Sequence, residues 1–237
     1  MRNENKNKSN FFNFKKKFFC SGVTYSFYQG WSSLILIKCN MKKNKQLGFN
    51  KIIELFPKIK NKEKFLIITN GKIKNNLRFK KKYLIPYDVI NSFSNFEKLE
   101  IKSQNQSEFF IISAKTKGKS NKRIKLFNIK KDVKPKNLWG GKCISRPYAG
   151  KNINIVLFDL KKGFEFKDSG HVNEQITWLN KGEMNFYSGR KNKKLKINQG
   201  IDVGCLHKHG GISKGAIGFD AFFPKRKENK YKNSLTK

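Results

Sequence analysis

The sequence predicts an all-β protein built as two barrel-like halves, on three observations. Short apolar segments follow one another, each ended by Gly, Asn or Lys turns, the pattern of strands joined by hairpins. No stretch sustains the 3.6-residue period of a helix. The order of segments in the first half returns in the second, as two copies of one barrel or sandwich would require.

The expected strands of the first half are "SSLILIK" (32–38), "KFLIIT" (64–69), "KIKNNLRF" (72–79), "KYLIP" (82–86) and "EFFIISA" (108–114). Those of the second are "NINIVLFDL" (152–160), "EQITWLN" (174–180), "EMNFY" (183–187), "KKLKIN" (193–198), "IDVGCL" (201–206) and "AIGFDAFF" (216–223). One exception, "NKIIELFPK" (50–58), reads as a short helix that Pro57 must cut off, because proline lacks the N–H and clashes with the preceding turn. In the repeat, "LILIKCNMKKNKQLGF" answers "NIVLFDLKKGFEF", and "FFIISA" answers "FDAFFP". The expected division is a basic arm over 1–20, a first barrel over 21–115, a connector over 116–135 and a second barrel over 136–237. Trp139, Trp178, Phe186 and Phe222 are expected in the barrel core, and Gly182, Gly189 and Gly200 in turns.

Charge sets the partner classes. Lys and Arg number 53 against 16 Asp and Glu, a net +37, which would attract nucleic acid or anionic surfaces. The excess is mostly Lys, spread along the chain, whereas base readout favours the bidentate Arg fork. Lys, Asn, Ile and Phe are all residues of A- and T-rich codons, so genomic drift accounts for most of the charge. Cys20, Cys39, Cys143 and Cys205 show no C-x-x-C spacing, which argues against a zinc ribbon or a disulfide framework and fits a reducing cytoplasm. There is no apolar run long enough to span a membrane, and the basic start lacks the apolar core of a secretory leader.

All three histidines fall in the second half. "GHVNEQITWLNKGEMNF" (170–186) holds His171 beside Glu174 and Gln175, and "QGIDVGCLHKHGG" (199–211) holds His207 and His209. These residues read either as polar groups at strand edges or as ligands converging in the mouth of a barrel, where inward positions of different strands meet. Arg146, in "ISRPYAGKN", is either a surface cation or a bidentate clamp for a carboxylate.

The order of these elements resembles the cupin superfamily, whose first motif runs G-x5-H-x-H-x3-E/Q-x6-G and whose second adds a His one hairpin later. Within it, H-x-x-E-Q-I, a Gly turn, His-Gly and F-F-P-x-R over about residues 150–227 resemble the bicupin isomerases of the bacilysin-biosynthesis type. The resemblance implies two double-stranded β-helix (jelly-roll) barrels, the N-terminal one degenerate. It also implies a divalent transition metal (Fe, Mn, Co or Zn) on His171, Gln175 and His209, with His207 as a substitute. Glu174 and Arg146 take the catalytic or supporting roles, and the substrate is a small anionic organic molecule. Ser169 stands where the first motif histidine belongs, and Asn91 where the first half would carry its second-motif ligand, so no metal is expected there. A metalloenzyme, a metal-free binding or structural cupin, and a basic protein for nucleic acid or anionic surfaces stay open, as does a homodimer.

If drift accounts for the charge, binding of duplex DNA or RNA should be weak, indifferent to sequence and lost steeply as salt rises. A filter-binding titration from 50 to 300 mM salt checks this, and a sequence preference surviving ~150 mM would contradict it.

Overall fold

The structure is a computed structural model that describes residues 9–14, 17–31, 33–77, 81–92, 95–114 and 124–228. Its contacts divide the chain into two compact units, Met1–Asn13 with Gly30–Leu34 and Lys130–Lys237, and Phe14–Gln29 with Ile35–Ile129. All strand pairings in both are antiparallel. Among the described residues no helix is long and apolar enough to cross a membrane.

The unit carrying the histidines is organised by two 15-residue strands, Glu174–Ser188 and His209–Phe223, which pair from Glu174↔Phe223 to Ser188↔His209. The strands expected at 174–180 and 183–187 are one continuous strand. The register shifts twice, between Leu179/Lys181 and between Gly182/Met184, and such irregularities bend a ribbon. Gly182 sits there at φ +72°, and a Cβ on it would lie 1.7 Å from the Gly215 carbonyl oxygen, so only glycine fits. Beyond the bend the partners change. Asn154–Leu160 and Gln199–Val203 flank one arm, Glu165–Asp168 and Lys191–Leu195 the other. Cys143–Ala149 and then Lys136–Leu138 extend the Asn154–Leu160 edge, and Asn10–Asn13 extends Gln199–Val203. Phe158, Phe164, Leu179, Phe186, Leu195 and Ile201 fill the interior.

The other unit has the same strand order. Its larger sheet runs Lys125–Asn128, Asp88–Ser92, Glu63–Asn70, Ser107–Ala114, Ile35–Met41, Val23–Gln29, Lys17–Cys20. The segments matched in the sequence occupy corresponding places in the two orders, with Glu63–Asn70 and Ile73–Asn75 answering the two arms of Glu174–Ser188, although Val23–Gln29 and Cys143–Ala149 are not among the expected strands. The expected helix spans Phe49–Leu55, buries Phe49, Ile52 and Ile53 on one face, and stops before Pro57.

Two expectations need adjusting. The part of the basic arm that is described forms strands, because "NFFN" and "KFFC" carry apolar residues that pair with open sheet edges. Residues 1–8 and 15–16 of that arm lie outside the described residues. In the connector 116–123 lies outside them too, and Lys125–Asn128 is the outermost strand of a sheet. The structure predicts that Gly182→Ala lowers stability by about 2 kcal/mol or more, since it adds both a clash and a strained φ. Thermal unfolding of the full chain measures this.

Candidate functional site

The period of two places the site residues. Along Glu165–Asp168, Phe166 and Asp168 are the half-buried, inward positions, while Glu165 and Lys167 are exposed and Lys167 lies at the edge of the cavity lining. Along Glu174–Ser188, Gln175 and Thr177 line the same cavity, and Asp220 stands opposite Thr177 in register. His209 opens the long return strand opposite Asp168. His171 lies on the connection 169–173, whose path is set by Gly170 at φ +102°, where a Cβ would meet the Leu206 carbonyl carbon at 2.7 Å. The His171 carbonyl accepts from the Leu206 N–H at 2.7 Å, tying this connection to the one that carries His207.

One acid and two imidazoles result. A ligating atom of Asp168, of His171 and of His209 all lie within 4.8 Å of one another, the single such cluster among the described residues. The two rings are perpendicular with centroids 5.3 Å apart. Each spends Nδ1 on a backbone carbonyl, His171 on Asn173 at 2.8 Å and His209 on His207 at 2.9 Å. This is the arrangement that leaves Nε2 as the ligating nitrogen. Nε2 of His171 lies 2.9 Å from Gln175 Oε1. With the Nδ1 proton given to a carbonyl, a neutral imidazole has none on Nε2 for this oxygen, so two lone pairs face each other at about the 3 Å spacing of adjacent ligands on one ion at about 2.1 Å.

The protonation states suit ligation. Burial, with Arg226 adding to it, pushes the His171 imidazole below its ordinary value. Burial lowers His209 as well, against the opposing pull of its bond to His207 and of Asp168. Burial alone would raise Asp168, but the Gly170 N–H bond at 2.8 Å, both imidazoles and Arg226 together hold its carboxyl below the usual range. Arg226 is itself buried. Its Nη1 lies 3.6 Å from Asp168 Oδ2, and Nε and Nη2 donate to Glu228 Oε1 at 2.9 and 2.6 Å.

The cavity beside the cluster is about 130 Å³. Its charged and polar lining includes Lys167, Asp168, His209, Gln175, Thr177, Asp220 and Arg226; its apolar lining includes Leu138, Trp139, Phe164, Phe166, Met184 and Phe186. Asp220 accepts from Thr177 Oγ1 at 2.5 Å and Gln175 Nε2 at 3.1 Å. Burial outweighs these bonds and raises its carboxyl to about 6, the range in which a group can give or take a proton near neutral pH.

The structure thus brings His171, Gln175 and His209 together and adds Asp168, Asp220 and Arg226, which the sequence reading did not assign. Ser169 is exposed, and the inward acid is its neighbour Asp168, since alternation admits only one of the two. His207 does not reach the cluster; its Nε2 packs against Gly189, and its carbonyl holds His209. Glu174 faces the opposite side of the sheet from Gln175, where its carboxylate accepts from the Ser33 and Leu34 N–H groups at 3.0 and 3.2 Å. Arg146 is kept out of the cavity in the same way, because Cys143 and Ser145 are the inward residues of its strand. Asn91 donates to Glu63 Oε1 and the Lys64 carbonyl. It lies on Asp88–Ser92, the strand that answers Gln199–Val203, whereas the strand answering the start of His209–Phe223 begins at Glu100. Trp178, Phe186 and Phe222 are buried as expected, but Trp139 is 55% exposed at the cavity rim. A regular strand with alternating burial would have signalled Asp168 and Asp220, and the Gly140-Gly141 pair was the local turn signal beside Trp139.

No protein-family model matches the chain, and neither does any curated protein. Solved structures do. A cupin 2 conserved barrel domain protein from Leptotrichia buccalis aligns at TM-score 0.61 and 13% identity, over 91% of this chain and 96% of that one. Oxalate decarboxylase from Lactobacillus farciminis, in a formate complex, aligns at 0.69 and 9% identity, covering 95% and 88%. Oxalate decarboxylase from Bacillus subtilis, a protein with Mn(II) centres, aligns at 0.67 and 7% identity, covering 92% and 78%. The fold is a cupin fold. At such identities the likeness speaks for the fold alone, and the cupin site must be argued from its own residues.

Asp220 yields a pH-dependent stability. Its carboxyl is raised, so the stability it contributes is complete below the unfolded value near 3.8 and is lost as pH rises through about 6. Asp220→Asn keeps an acceptor for Thr177 and Gln175 without the buried charge. In chelator-treated protein this variant should exceed the wild type by about 1–3 kcal/mol at pH 7.5, the gap closing toward pH 4. Denaturant unfolding at both pH values measures it.

Proposed function

We propose that this chain is a bicupin whose C-terminal barrel holds one divalent first-row metal and takes a small anionic organic molecule in the adjoining cavity. The observation that carries the reading is the convergence of Asp168, His171 and His209 within 4.8 Å, with both Nδ1 atoms already spent on carbonyls. Two imidazoles and a carboxylate suit Fe²⁺, Mn²⁺, Co²⁺ or Zn²⁺ and leave positions open for water and a ligand. Gln175, whose Oε1 lies 2.9 Å from His171 Nε2, is a fourth ligand. The bound ion would supply a Lewis acid for a carbonyl or carboxylate oxygen. Arg226 is matched by Glu228 and lies near Asp168, so a divalent ion would itself supply the positive charge that favours an anion there.

An isomerase-type reaction is the catalytic form of this reading, and Asp220 supports it. A carboxyl that titrates near 6 and faces the cavity is suited to moving a proton on a bound organic acid, with Thr177 and Gln175 holding its orientation. In the N-terminal unit the same strand order without a histidine supports a structural role.

Calorimetric titration of chelator-treated, tag-free protein with Mn²⁺, Co²⁺ and Zn²⁺ should give one ion per chain. His171→Ala and His209→Ala should each weaken binding about 100-fold, Asp168→Asn about tenfold or more, and Ser169→Ala and His207→Ala little. Equal affinity in the wild type and the His171→Ala variant would refute the metal reading. Because both imidazoles are lowered, they stay neutral below the ordinary value of 6.5, so half of the affinity should be lost only below that pH. The same titration repeated from pH 7.5 to 5 tests this.

A further inference from the structure

Trp139 closes the three-residue edge strand Lys136–Leu138 and is followed by Gly140 and Gly141. All three residues have positive φ: +50°, +64° and +77°. Glycine adopts that backbone freely, but tryptophan does so at a cost, and such strain persists where the surroundings or a function hold it. Here the backbone conformation leaves a large apolar ring 55% exposed. The ring nonetheless lines the cavity and lies 5.2 Å from the Phe164 ring at an interplanar angle of 48°. Phe164 in turn stacks on Phe166 at 6.3 Å and 19°. The apolar lining of the cavity therefore presents flat faces, and one of them is open to solvent.

The size of the space narrows what fits. A cavity of about 130 Å³ is close to the ~150 Å³ apolar cavity that accepts a benzene molecule, so it has room for about one planar ring. We propose that Trp139 is a specificity-determining residue that stacks on a single planar ring of the ligand, whose anionic group reaches the polar lining near Asp168, His209 and Arg226. This rests on reading the cavity as the ligand site, though not on the metal. Trp139 does not touch the reacting end, so its contribution falls on selection of the ligand.

The test uses the full chain, chelator-treated and Co²⁺-loaded, titrated with benzoate, cyclohexanecarboxylate and acetate by calorimetry and by tryptophan emission. Trp178 is fully buried, so a shift in emission reports mainly on Trp139 and the partly exposed Trp31. Benzoate should bind at least tenfold more tightly than acetate and more tightly than cyclohexanecarboxylate, with a change in emission. Trp139→Ala should erase the preference for benzoate while leaving acetate unchanged, and Trp139→Phe should keep most of it. Trp139→Gly serves as the folding control, because glycine relieves the positive φ; its Tm should equal or exceed that of the wild type while the preference is lost. Benzoate binding no tighter than acetate, or a Trp139→Gly variant that still prefers benzoate, overturns the inference. Ring selectivity without Co²⁺ binding would overturn the metal reading and leave this one standing; Co²⁺ binding without ring selectivity would do the reverse.

Discussion

The pairing of Glu174–Ser188 with His209–Phe223 is the constraint on which the site depends. Two strands of this length cannot stay flat while serving different neighbours at their two ends, and the register shifts beside Gly182 let them turn. With the bend set, alternation does the rest. Gln175 and Thr177 face inward with Asp220 opposite Thr177, while His209 lies at the far end opposite Asp168. A slip of one residue would bring Glu174 and Ile176 to the cavity and bury none of the present polar set there. The buried aromatic interior on the same face makes that slip costly, so the packing that stabilises the fold also fixes the chemistry.

Within the site, burial and charge compete with different outcomes at each group. At the imidazoles burial prevails, and they are kept neutral. At Asp168 burial is outweighed by one backbone N–H and three nearby cationic or polarisable groups, and the carboxylate is kept ionised. At Asp220 two hydrogen bonds are too few, and burial raises the carboxyl to about 6. Two aspartates on one cavity wall thus differ in character because Asp220 is the more deeply buried, while Asp168 holds a backbone N–H and lies 3.6 Å from the Arg226 guanidinium. Glu174 adds a third case, a carboxylate on the far face that satisfies the backbone of residues 33 and 34.

The two units share a strand order but not a set of donor residues. A strand order needs only apolar alternation and turns, which many sequences supply, whereas a metal cluster needs particular donors at three or four positions. The N-terminal unit keeps the first and has no histidine. At Asn91 the amide is engaged by Glu63 and the Lys64 carbonyl, an ordinary buried polar contact.

By itself the sequence determined the all-β class, the repeat, the one short helix ended by Pro57, and the stretch where the histidines gather. These follow from local rules: the period of side chains along a strand, the backbone demands of Gly and Pro, and the scarcity of His in the chain. Only the tertiary structure decided which donors meet. Asp168 in place of Ser169, His209 with His207 left out, and Asp220 and Arg226 at the cavity are matters of which strand lies opposite which. The exclusion of Glu174 and Arg146 depends on which sheet face is the inner one. Trp139 was expected in the core because it is large and apolar, and it stands at the rim because its backbone turns left-handed at the end of an edge strand. Cross-strand register is set by the whole sheet, and no local stretch of sequence carries it.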